Sequence, residues 1–199
     1  MSLPPVRRKL LQGLGALPLG ALLAALGAGG LAAAPGVAQA QQVELSPLRT
    51  EKTDGWLTLE FAARITLPRV VEEALHRGVP VYFVAQAELK RNRWYWRDER
   101  VVRVTRNWRV AFQPLTSTWR VSLGGLNQTF PTLPDALAAV SRTSGWRLLE
   151  LSQFDNDSRY YVEFSWRLDT SQLPGFMQIG LGGPGEWAVG ADRSFRVEP

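Results

Sequence analysis

Cysteine is absent from this chain, and histidine occurs once, at His76. The lack of cysteine excludes disulfides, thiolate metal sites, a cysteine nucleophile and a lipid anchor on cysteine. One histidine without cysteine cannot form a typical zinc site, so we expect no bound metal. The G-x-G-x-x-G spelling at Gly180–Gly185 contains Pro184 and is not followed by a helical pattern, so we expect no nucleotide and no other cofactor.

Acidic residues are also missing from the first forty positions, where Arg7, Arg8 and Lys9 precede an apolar run. A basic start, an apolar stretch and the small-x-small pattern at Ala38 and Ala40 are typical of a cleavable export signal. The sequence therefore predicts residues 1–40 as a signal that is cleaved after Ala40, with residues 41–199 as one periplasmic domain.

Two aspects of this leader stay open. Arg7 and Arg8 resemble a twin-arginine export motif, although paired basic residues also begin general secretory signals. Residues 10–34 are long enough to span a bilayer as an uncleaved inner-membrane anchor. Pro18 and the many glycines of this run favour cleavage instead.

Net charge argues against a nucleic-acid partner. The leader holds three of the 23 basic residues, which leaves 20 basic and 18 acidic residues, or +2, in the predicted domain. A nearly neutral exported domain lacks the bulk electrostatic attraction that nucleic acid requires.

Alternation of apolar and polar residues predicts a mainly β fold. Val81, Phe83, Ala85 and the residues that continue this period to Leu89 mark one face of a half-buried strand. Similar runs and hairpin turns, such as Gly124-Gly125, predict about eight or nine antiparallel strands in a sandwich or a partly open barrel.

Two short helices interrupt the strands in this prediction. The first begins with Thr66 as N-cap and ends before Gly78, and the second runs from Thr132 to about Ser144 and is ended by Gly145. A Trp-Arg-aliphatic pattern recurs at four places, which either a duplication or simple strand alternation explains. The four tryptophans are Trp108, Trp119, Trp146 and Trp166.

The stretch "RWYWRDER" at 93–100 concentrates aromatic and cationic residues. Alternation places Trp94 and Trp96 toward the core and leaves Tyr95 between outward arginines. Such a stretch either packs as ordinary cross-strand pairs that stabilise a sheet, or offers a surface that suits an acidic partner protein, an anionic ligand or a lipid headgroup. The predicted contact residues are Arg93, Tyr95, Arg97, Arg103 and Arg109.

Several stretches after Val43 resemble an uncharacterised family of exported proteobacterial proteins that is defined only as a domain of unknown function. The stretches that carry the resemblance are GVPVYF (78–83), RWYWRDE (93–99), LTSTWRVS (115–122) and LDTSQLP (168–174). The resemblance implies no catalytic residues. It does imply an envelope role near a membrane-bound sensor kinase, as one candidate partner.

These observations favour a non-enzymatic exported interaction or accessory module. A periplasmic hydrolase that uses paired carboxylates is the alternative, because such pairs come from distant strands that sequence alone cannot join. Its candidate acids are Asp98, Glu99, Asp169 and Glu186.

Overall fold

The computed structural model describes residues 43–93, 95, 97–155, 158–173, 175 and 187–198. These residues form nine strands and two helices within one compact unit, Gln39–Pro199. The elements in chain order are β1 (Val43–Thr53), β2 (Trp56–Ile65), α1 (Arg69–His76), β3 (Val81–Arg91), β4 (Glu99–Gln113), β5 (Thr118–Leu123), β6 (Leu126–Phe130), α2 (Leu133–Val140), β7 (Arg142–Glu150), β8 (Tyr160–Leu168) and β9 (Gly190–Arg196).

The strands form two antiparallel sheets that are not closed into a barrel, which confirms the predicted mainly β sandwich. The smaller sheet has the order β1-β2-β7 and the larger one has the order β6-β5-β4-β3-β8-β9. The connection from β7 to β8 therefore passes from one sheet to the other. Antiparallel pairing follows from the short turns that join most neighbours.

The core lies between the sheets and is rich in aromatic residues. Phe61 of β2 packs on Phe164 of β8 with 4.8 Å between ring centroids, and Phe83 stacks on Trp166 at 5.0 Å. The indole Nε1 of Trp166 donates a hydrogen bond of 3.1 Å to the carbonyl oxygen of Val140, at the end of α2. This bond fixes the second helix to the larger sheet.

Local turn chemistry explains the tight hairpins. Asp54 and Gly55 join β1 to β2 with positive φ angles of 51° and 79°, and Gly124 and Gly125 join β5 to β6 with 53° and 90°. Two successive positive φ angles match the right-handed twist of the flanking strands, and residues of these types tolerate them.

Both helices depart from their predicted ends. The first begins at Arg69, where Pro68 occupies the N-cap position without a side-chain hydrogen bond, so the prediction of Thr66 as N-cap is wrong. Gly78 follows the helix with φ 82°, as predicted for its stop. Thr132 does cap the second helix, because its hydroxyl accepts from the backbone N–H of Asp135 at 3.3 Å.

Gly145 does not end the second helix, as the sequence suggested, because that helix stops at Val140 and β7 begins at Arg142. Gly145 instead lies inside β7 with φ 60°, where Trp146 and Thr143 pair with β2 residues on either side of a register shift. A glycine with positive φ at such a shift is typical of a β-bulge.

No helix within the described residues is long and apolar enough to cross a membrane. The predicted export motif, the cleavage site and the 10–34 segment lie outside the described residues, as do Gly180–Gly185.

Candidate binding face

The turn between β3 and β4 carries three predicted contact residues, Arg93, Tyr95 and Arg97. The Glu99 carboxylate accepts a hydrogen bond from Arg91 Nε at 3.0 Å and another from the Arg93 guanidinium at 2.5 Å. These two bonds, that of Arg91 first, hold the pKa of Glu99 below its ordinary value. The charge of Arg93 is therefore already paired with Glu99 inside the turn.

Tyr95 and Arg97 point into solvent. Tyr95 is 64% exposed, and Arg97 is exposed without a carboxylate partner among the described residues. Trp94 and Trp96 lie outside the described residues, so their assignment to the core stays a prediction.

Asp98 ties this turn to the larger sheet. Its carboxylate accepts a hydrogen bond of 2.7 Å from the Tyr161 hydroxyl of β8 and one of 3.3 Å from the Arg93 backbone N–H. Burial of the phenol, together with the hydrogen bond to Asp98, raises the pKa of Tyr161 to about 12. Tyr161 thus stays neutral and donates its hydroxyl hydrogen to the Asp98 side chain.

The two remaining predicted residues, Arg103 and Arg109, lie on the outer face of the larger sheet. Arg103 Nε donates a hydrogen bond of 2.6 Å to the carboxylate of Glu88, which is only 8% exposed. Arg109 stands opposite Tyr82 and Ser122 on the neighbouring strands, is exposed, and has no carboxylate partner in the described part of the chain. Arg109 is therefore free to bind and Arg103 is not.

The five predicted residues do not form one cluster. Ten residues separate Glu99 from Arg109 along β4, which corresponds to about 33 Å at roughly 3.3 Å per residue. The turn residues and Arg109 consequently lie at opposite ends of the same hairpin.

A different set of arginines does come together around Arg109. In all four copies of the Trp-Arg-aliphatic pattern the tryptophan is buried in the core, so strand alternation directs the arginine that follows it to the outer face of its sheet. Three of these exposed arginines belong to β4, β5 and β8 of the larger sheet. We call them the arginine cluster: Arg109, Arg120 and Arg167.

Strand register gives the spacing of the arginine cluster. Arg120 stands opposite Ala111, which places it diagonally from Arg109 at about 7–8 Å. Arg167 lies two strands away from Arg109, level with Asn107 rather than with Arg109 itself. At ~4.8 Å between strands, the Cα atoms of Arg109 and Arg167 are about 12 Å apart. The exposed side chain of Asn107 lies on the same face, two residues before Arg109, and Val84 of β3 stands between Asn107 and Arg167. No carboxylate among the described residues forms an ion pair with the cluster.

The centre of the same outer face holds a polar groove of about 480 Å³. Glu88 and Glu163 stand directly opposite each other on β3 and β8, and Asp192 of β9 also lines the groove. Glu163 accepts from Lys90 at 2.6 Å and Glu88 from Arg103, so each of these two acids has its own cation. Sequence reasoning missed this groove because its acids come from three strands whose register was unknown.

Three of the acids named for the alternative hydrolase, Asp98, Glu99 and Asp169, lie within the described residues and are not in one cleft. Asp98 and Glu99 lie at the β3–β4 turn, while Asp169 follows the far end of β8 and accepts from the Ser171 backbone N–H at 3.1 Å. The eight residues from Tyr161 to Asp169 span about 26 Å at roughly 3.3 Å per residue. Glu186 lies outside the described residues.

His76 contacts aromatic rings, with its centroid 5.2 Å from Trp119 and 5.9 Å from Phe112. It lines an apolar groove of about 660 Å³ with Leu133 and Leu137 of α2. In the described part of the chain, no three acid, histidine or cysteine side chains are grouped closely enough to hold a metal ion.

A family model described as a domain of unknown function, DUF4390, matches residues 40–196. The chain belongs to this family. This confirms the resemblance seen in the sequence. No curated protein and no solved structure matches the chain.

One sequence signal could have located the arginine cluster in this DUF4390 domain. The repeated Trp-Arg-aliphatic pattern pairs a core residue with an outward cation each time, and three of its four copies fall on the larger sheet. The fourth arginine, Arg147, lies on the smaller sheet over the ring of Trp56 at 5.1 Å. Only the strand order, which the sequence did not provide, separates the three from the fourth.

Proposed function

We propose that this chain is an exported protein of the bacterial envelope that binds an acidic partner protein through the arginine cluster. The observation that carries the proposal is that Arg109, Arg120 and Arg167 lie on one exposed sheet face and form no ion pair with a carboxylate among the described residues. Arginine retains its charge and offers several donors in a planar fork, which suits carboxylates on a protein surface.

The proposed location is the periplasm, with residues 1–40 removed, because the leader has the features of a signal peptide. A membrane-bound sensor kinase, which the family resemblance implies, is the first candidate for the partner. An anionic lipid headgroup shares the same chemistry and is the competing ligand that the experiment must separate.

The test compares two triple variants of the exported protein with equal net charge. One is Arg109→Gln, Arg120→Gln and Arg167→Gln. The control removes three arginines from the smaller sheet or its edge, by Arg64→Gln, Arg142→Gln and Arg147→Gln. Intact mass first establishes whether the protein begins at Gln41, and calorimetry then measures binding to the membrane proteins of a detergent-solubilised envelope fraction and to anionic vesicles.

We expect the cluster variant to bind the envelope protein about three- to 150-fold more weakly, since three exposed ion pairs contribute roughly 0.2–1 kcal/mol each. The control should bind like the wild type, and added salt should weaken wild-type binding. Equal binding by both variants, or binding to anionic vesicles without a protein partner, would overturn the proposal.

A hydrolase is the second candidate, and the groove with Glu88 opposite Glu163 is the observation that favours it. Glycoside hydrolysis requires one carboxylic acid that holds its proton, in surroundings that disfavour charge. Here Glu163 is already paired with Lys90 and Glu88 with Arg103, so neither acid faces the groove without a cation. Loss of a measured glycosidase activity in Glu163→Gln, with binding unaffected, would place this candidate first.

A further inference from the structure

The first half of β4 is an open sheet edge. Glu99 to Val110 pairs with β3 on one side, whereas β5 pairs with β4 on the other side only from Trp108 onward. No described strand forms a hydrogen-bonded ladder with residues 99–107 on that second side. Every second residue of this segment therefore directs its backbone N–H and C=O groups away from the sheet.

The composition of this edge suits an added strand. Val101, Val102, Val104 and Thr105 are β-branched, and the segment contains neither proline nor glycine. Its cations are Arg100, Arg103 and Arg106, and its one acid, Glu99, is already bound by Arg91 and Arg93.

Arg106 supplies a second and independent observation. Its guanidinium carbon lies 4.9 Å from the ring centroid of Trp146, and one of its nitrogens donates to the Thr143 hydroxyl at 3.5 Å. Trp146 and Thr143 belong to β7, the edge strand of the smaller sheet, which contacts β4 here. Arg106 is half-buried, yet no carboxylate in the described part of the chain pairs with it.

Arg100 is the matching cation on the outer face. It stands opposite Lys90 across a register shift, is exposed, and has no ion pair among the described residues. An extended segment beside β4 would present side chains to both faces, one set toward Arg100 and the other toward Arg106.

We infer that an extended acidic segment of the partner adds to the larger sheet as a strand beside residues 99–107, with carboxylates on Arg100 and Arg106. The inference rests on the proposed function, because it states how the acidic partner is held. A second copy of this chain is a poor occupant, since its own edge would set arginines against arginines. Strand addition obtains affinity from backbone hydrogen bonds and specificity from side chains at alternate positions.

The test uses a short blocked peptide that alternates pairs of Glu with pairs of Val as the probe, because neighbouring glutamates of an extended strand face opposite sides of the sheet. A peptide with Pro in place of each Val carries the same charge but lacks backbone donors at the proline positions, so it cannot form a full ladder. Amide hydrogen exchange of the isotope-labelled, processed protein is measured by NMR with each peptide. We expect the Glu-Val peptide alone to slow exchange at alternate positions within residues 100–107.

Two variants make the outcome specific. Arg100→Gln, at an exposed position, should weaken peptide binding about two- to fivefold, and Arg106→Met should weaken it about tenfold or more because its partner carboxylate would be half-buried. Equal effects of the two peptides, or no protection of residues 100–107, would overturn strand addition. The proposed function would survive that result if binding of the envelope protein still depended on the arginine cluster.

Discussion

The guanidinium of Arg106 lies over the indole ring of Trp146, 4.9 Å from the ring centroid, and joins the two sheets at their edge. Burial lowers the pKa of Arg106, because removal of water disfavours its charged form. The contact of the cation with the indole ring stabilises the folded protein, whereas the removal of water from the cation destabilises it. The ring contact contributes about 1–2 kcal/mol and desolvation opposes it, so an apolar side chain of similar volume is expected to change stability little.

The near balance at Arg106 gives the first prediction. Arg106→Met keeps an unbranched side chain on Trp146 and removes the charge, so we expect the free energy of unfolding to change by less than ~1 kcal/mol. Urea denaturation of the wild type and the variant measures this difference. A loss above about 2 kcal/mol would mean that Arg106 holds the sandwich together and is not kept for a ligand.

The second prediction concerns Tyr161, whose pKa is raised to about 12. Because the folded value exceeds the ~10 of an exposed tyrosine, the stability from this group is present below about pH 10 and is lost as the pH rises toward 12. The difference in phenolate absorbance between wild type and Tyr161→Phe reports the titration. Asp98→Asn should lower the pKa only in part, since burial is the larger cause. Titration near 10 in the wild type would contradict this environment.

The third prediction follows from the two arginines on Glu99. Its folded pKa is lowered, so the stability it contributes is present above its unfolded value near 4.3 and is lost as the pH falls through the folded value. Between neutral pH and about pH 3, Glu99→Gln should therefore lose less stability than the wild type. Glu44→Gln, at an exposed pair of 3.8 Å, is the control and should follow the wild type. Equal acid sensitivity of wild type and Glu99→Gln would show that the arginines do not stabilise the turn.

The fourth prediction tests the bond between Trp166 and the end of α2. Trp166→Phe retains a ring beside Phe83 but leaves the Val140 carbonyl without its donor. Trp108→Phe is the matched control, because Trp108 is buried but has no described side-chain hydrogen bond. We expect Trp166→Phe to cost about 1 kcal/mol more in unfolding free energy than the control. Equal losses would mean that ring volume alone matters.

Sequence reasoning succeeded where one local rule decides the structure. Alternating burial along β3 and the double-glycine turn between β5 and β6 were both readable, because each depends on residues close together in the chain. Gly145 was assigned wrongly because a helix stop and a β-bulge both favour a glycine with positive φ. Pairing with β2 selected the bulge, and that pairing is not local.

The binding face shows the same difference between local features, which the sequence predicts, and contacts that depend on strand order, which it does not. The contact residues were predicted mainly from the density of aromatic and cationic residues along the chain. That density is highest at the β3–β4 turn, where Arg93 is already bound to Glu99. Arg120 and Arg167 were passed over because they are 47 residues apart in sequence. Sheet order brings them to one face, and the sequence pattern could not supply that order.

The most direct test of the central claim is site-specific photo-crosslinking in cells that produce the protein. A photoreactive residue replaces Asn107, which lies within the arginine cluster, or Ala62, which is partly exposed on the smaller sheet. We predict that position 107 gives a discrete adduct with one envelope protein and that position 62 gives none. The adduct from position 107 should decrease when Arg109, Arg120 and Arg167 are changed to Gln. Equal adducts from both positions, or adducts with lipid alone, would contradict binding of an acidic protein at this face.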